Sequence, residues 1–87
     1  MAKRYFYPAT LKNCGSYYHL EFVDFPDATP VEEIRLEEVL KSAKDVLALN
    51  IADYMAENGG KVPRPSFERG NVTIGTTLEG VKTFMTF

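Results

Sequence analysis

Apolar and polar residues alternate through the first quarter of the chain. Residues 4–12 and 16–23 both read as strands, and the polar run "KNCGS" between them predicts a tight turn around Asn13 and Gly15, hence a β-hairpin. In the second strand Tyr18, Leu20 and Phe22 share one side and form the expected core set, while Tyr17, His19, Glu21 and Val23 share the other. In the first strand Tyr5, Tyr7, Ala9 and Leu11 make the more apolar set and Phe6 lies opposite. Pro8 has no N–H to give to a ladder, so it predicts an edge position or a bulge.

From Leu36 to Asn58 the spacing changes: Leu36, Val39, Leu40, Ala43, Leu47, Ile51, Tyr54 and Met55 recur at helical intervals, and "ENGG" supplies the residues that end a helix in a left-handed turn. One long helix follows. Its start has a competitor, because "TPVEE" reads as a capping box with Thr29 as cap and Pro30 in the first helical position. Residues 27–35 are therefore either a short third strand or an early helix start. Beyond the extended run "GGKVPRPS", the segments "NVTI" and "GVKTFMTF" have strand composition. The order predicts an α+β domain over residues 1–87, with a small antiparallel sheet and one long helix on one face.

Composition narrows the function. At 87 residues with 45% hydrophobic content there is room for a single core. So short a chain buries only about 60% of the surface its unfolded form exposes, and aromatic residues fall on both sheet faces, with Phe6, Tyr17 and Phe84 opposite the core set. Both features predict a homo-oligomer, most simply a dimer. The lone Cys14, the missing signal-peptide pattern and the missing membrane-length apolar run predict a cytoplasmic protein.

Net charge is −2, with no basic stripe, which argues against a broad electrostatic grip on nucleic acid. Acids concentrate instead: Glu21, Asp24, Asp27, Glu32, Glu33, Glu37 and Glu38 are opposed within residues 21–38 only by Arg35. Much of that block serves a solvated face and a helix start. The first strand carries no acid for a two-metal nuclease site, His19 is the only histidine, the serines stand in no nucleophile-elbow context and the glycines form no phosphate loop. No enzyme and no cofactor are expected.

The pieces "YPATL", "GSYYHLEFVDFPDA" and "LEEVLKSAKDVLALNIADYMAENGGKVPRPS", in that order, resemble the HicB-like antitoxin family over about residues 5–66. Asp27 stands where the family usually has glycine, and "VEEIR" replaces its glycine-aspartate-threonine run. The resemblance implies a partial RNase H-like fold, strand-strand-strand-helix-strand, acting as antidote to a small basic HicA-like toxin that cleaves mRNA. This chain has no room for the carboxyl-terminal DNA-binding segment of longer members, so direct DNA binding is not expected. The implied partner surface comprises Tyr17, Asp24, Phe25, Asp27, Glu32 and Glu33: carboxylates steer, while Phe25 and Tyr17 anchor. Within the chain itself, Pro26 stops the second strand, Phe25 folds back as an apolar anchor, and Asp24 and Asp27 sit in the turn, where short carboxylates bond the backbone. The alternative is a catalytically inert RNase H-like module that assembles with itself and binds a small ligand or another partner.

Overall fold

A computed structural model describes residues 3–85. The elements run β1 (Arg4–Asn13), β2 (Tyr18–Phe22), β3 (Val31–Glu33), α1 (Leu36–Glu57), β4 (Val72–Thr77) and α2 (Leu78–Thr83). The strands form one antiparallel sheet in the order β3-β2-β1-β4. The α+β expectation and the strand-strand-strand-helix-strand order hold, with a second helix added.

The hairpin register pairs Ala9 with Phe22 and Leu11 with Leu20. Its turn is closed by the Cys14 N–H on the Tyr17 carbonyl at 2.8 Å and by Asn13 Oδ1, which accepts from the Gly15 N–H at 2.9 Å. Tyr5, Tyr7, Ala9, Leu20, Phe22, Val31 and Ile74 line the inner face of the sheet. They pack on Val39, Ala43, Leu47, Ala48, Ile51 and Ala52 of α1; the expected Val39, Ala43, Leu47 and Ile51 are buried, whereas Leu36, at the first position of the helix, is exposed and Tyr18 is half-buried. The opposite face of the sheet carries no helix.

Three expectations change. Pro8 lies in β1, which is a central strand and not an edge. Its carbonyl accepts from the Val23 N–H at 3.3 Å, on the side where the ladder with β2 ends at Ala9–Phe22, so no paired donor is lost. At Thr29 the capping box does not start a helix. Residues 31–33 pair with β2, because Val31 fills a core position opposite Leu20, and α1 begins at Leu36 with Arg35 as its cap, without a side-chain cap bond. Glu37 and Glu38 in the first turn offset that loss through the helix dipole.

The strand expected over residues 80–87 is replaced by α2. The Thr77 side chain accepts from the Gly80 N–H at 3.1 Å and caps the new helix, and Val81 packs into the core. Residues 86 and 87 lie outside the described residues. Phe84 thus follows a helix and shares a groove with Ala52, Met55 and Met85, rather than standing on the outer face of the sheet.

Candidate functional site

The first strand, the "DFP" step after β2 and the "PRPS" run meet in space. Asp24 accepts from the Ser66 N–H at 2.9 Å and from the Ser66 hydroxyl at 2.7 Å. Tyr7 donates its hydroxyl proton to the Pro63 carbonyl at 2.6 Å. These bonds tie the 59–71 segment back over the end of β2. Farther along, the Asn71 side chain extends the sheet: its Oδ1 accepts from the Leu11 N–H at 2.8 Å and its Nδ2 donates to the Leu11 carbonyl at 2.9 Å. Gly70, at φ +82, is required there, since a Cβ would stand 2.6 Å from the Ala9 carbonyl oxygen.

Phe25 is buried to 6% exposure and sits edge-on to Tyr7 at 5.0 Å, Tyr54 at 6.3 Å and Phe22 at 6.4 Å. It is a core residue, which corrects its place on the partner surface: a side chain locked among three rings is not free to anchor a second protein. Asp24, half-buried, gives one acceptor from each oxygen to Ser66 and also lines a groove with Asp27. Burial, followed by the nearby Asp24 charge, raises the Tyr7 phenol from 10.0 to about 12.

The remaining candidates do not form one cluster. Tyr17 is exposed in the hairpin turn. Asp27 is exposed and lines a groove of about 420 Å³ with Asp53 and Glu57 of α1. Glu33 turns toward the helix and accepts from the Ser42 hydroxyl at 3.0 Å. Glu32 alone joins a polar cluster on the outer face of the sheet: His19 Nδ1 meets Glu32 Oε2 at 2.7 Å, and His19 Nε2 meets Glu21 Oε1 at 2.9 Å. His19 and Glu32 are directly opposite in the β2–β3 ladder, and Lys12 is opposite His19 on β1. The Glu32 bond, then the Glu21 bond, push the imidazole pKa above 6.5, since both ring nitrogens donate to carboxylates only when both are protonated.

One residue of this surface has no counterpart in the sequence reading. Ile34, between β3 and α1, is 77% exposed, and Leu36 beside it is 40% exposed. Their neighbours in sequence, Glu32, Glu37 and Glu38, are exposed as well, with Arg35 the opposing charge within residues 32–38. The signal was available as an isoleucine inside "VEEIRLEE", but helical and strand periods both break there, so neither pattern assigns it a side.

Among the described residues no group of three His, Cys, Asp or Glu side chains is placed to hold a metal ion, and no helix is long and apolar enough to cross a membrane. Cys14 is a free thiol in the exposed turn. Comparison with protein-family models, with curated proteins and with solved structures found no match in any of the three.

Proposed function

We propose that this chain is a HicB-like antitoxin with a partial RNase H-like core, a binding protein and not an enzyme, which neutralises a small basic HicA-like ribonuclease. The observation that carries the reading is the exposure of Ile34 and Leu36 in a stretch whose acids Glu32, Glu37 and Glu38 are exposed too. An RNA-cleaving protein grips a polyanion and so presents a basic surface. Exposed aliphatic side chains interspersed with carboxylates complement such a surface, with the acids speeding encounter and the aliphatic contact slowing release. Glu21 and Glu32, beside the exposed Tyr17 turn, extend the same charge along the outer face of the sheet.

This arrangement moves the proposed contact from Phe25 to Ile34, Leu36, Glu32 and Tyr17. The order of the resembling segments supports the family reading, and the joining of Tyr7, Asp24, Pro63 and Ser66 gives those segments a shared structural purpose. The test is co-expression with the product of the adjacent reading frame. A small basic protein should co-purify with the chain, and its cleavage of RNA should be suppressed in the complex. Ile34→Asp, at an exposed site, should abolish both effects while leaving the melting temperature unchanged. A basic ribonuclease that ignores the wild-type chain, or binds Ile34→Asp equally well, contradicts the reading.

A further inference from the structure

We infer that the free edge of β4 is the surface through which two copies of this chain pair, antiparallel and centred on Gly75, to make one continuous sheet. In the β1–β4 register Tyr5 meets Thr76, Tyr7 meets Ile74 and Ala9 meets Val72, and the Leu78 N–H bonds the Lys3 carbonyl at 2.9 Å. Backbone direction alternates along a strand, so the amides of Thr73, Gly75 and Thr77 point away from β1 toward the open edge. Among the described residues, no backbone partner from a turn, loop or cap reaches Thr73 or Gly75.

The two edges of the sheet differ in how they resist such pairing. On β3 the strand is three residues long and its outward-pointing residue is Glu32; Pro30 precedes it without an N–H, and Glu33 and Arg35 add charge. Short length, proline and charge are the standard defences of an edge, and self-pairing there would set Glu32 against its own copy. β4 itself has none of them, although Arg4 and Lys44 line the cleft beside Gly75, Thr76 and Thr77. Its six residues, "VTIGTT", carry no charge and no proline.

Register and charge select a second copy as the occupant. With the two-fold axis at Gly75, Thr73 of each chain faces Thr77 of the other, a favourable cross-strand pair. Because β4 carries no charged residue, self-pairing sets no like charges opposite one another within the strand. The axis further accounts for Phe6. Its ring lies over Gly75 so closely that a Cβ there would come within 2.8 Å of the ring, yet it remains 47% exposed. Pairing at Gly75 brings the two Phe6 rings together above the paired glycines, and each shields the other.

This inference stands independently of the ribonuclease reading, because it uses the edge opposite Ile34 and Glu32. Sedimentation equilibrium across a dilution series, joined to residue-resolved amide exchange, tests it. The expected result is twice the chain mass at high concentration, with the Thr73 and Gly75 amides losing their protection on dilution as the mass halves. Thr73→Pro, at an exposed position, removes an outward donor and should give a monomer with an unchanged circular dichroism spectrum. If that variant fails to fold, the wild-type exchange data decide alone. A wild-type monomer at high concentration, a dimer whose Thr73 and Gly75 amides exchange alike at every dilution, or a folded Thr73→Pro dimer overturns the inference.

Discussion

Phe25 shows at the scale of a single residue how one side chain is assigned to core or interface. Its contacts with Tyr7, Phe22 and Tyr54 mean that Phe25→Ala opens a cavity, and the variant should lose about 3–5 kcal/mol in urea unfolding, a loss independent of any partner. Asp24→Ala strips two acceptors from Ser66, one of them for a backbone donor, and should cost about 1–3 kcal/mol by the same measurement. His19 makes a pH-dependent contribution whose sign follows from its raised pKa. The folded chain holds the proton more tightly than the unfolded chain, so the stabilisation is complete below pH 6.5 and is lost as pH rises through the elevated folded value. Unfolding curves on both sides of that window should show wild type losing stability with rising pH relative to His19→Gln. The groups facing His19 are Glu21 along its own strand, Glu32 on β3 and Lys12 on β1, and nuclear magnetic resonance titration of the imidazole should place its midpoint above 6.5.

At the scale of the element, period was legible and termination was less so. The hairpin, its inner face and α1 follow from alternation and from three-four spacing, because those patterns are set by burial against one partner surface. The short elements escaped for physical reasons. β3 spans three residues, fewer than two full strand periods, and its only strong signal is Val31 meeting Leu20, a contact between residues distant in sequence. α2 lies in β-rich composition, and Thr77 capping Gly80 outweighs that propensity once Val81 finds the core beside α1. The candidate site fared the same way. Asp24 and Ser66 were each visible as parts of local patterns, but their joining across the fold was not, nor was the exposure of Ile34 at the junction where both periods fail.

At the scale of the whole molecule the two edges of the sheet differ: β3 and the start of α1 carry exposed acids together with the exposed Ile34 and Leu36, and β4 is an uncharged strand. Exposed ion pairs are individually worth about 0–1 kcal/mol and weaken with salt, so in the proposed complex the acids would govern encounter and Ile34 retention. The most direct measurement of this proposed division is surface plasmon resonance between the chain and the product of the adjacent reading frame, at low and high salt. Replacing Glu21, Glu32, Glu37 and Glu38 together with glutamine should slow association and flatten its dependence on salt, whereas Ile34→Ser should leave association nearly unchanged and raise the dissociation rate. Unchanged association for the fourfold variant, together with unchanged dissociation for Ile34→Ser, contradicts the account.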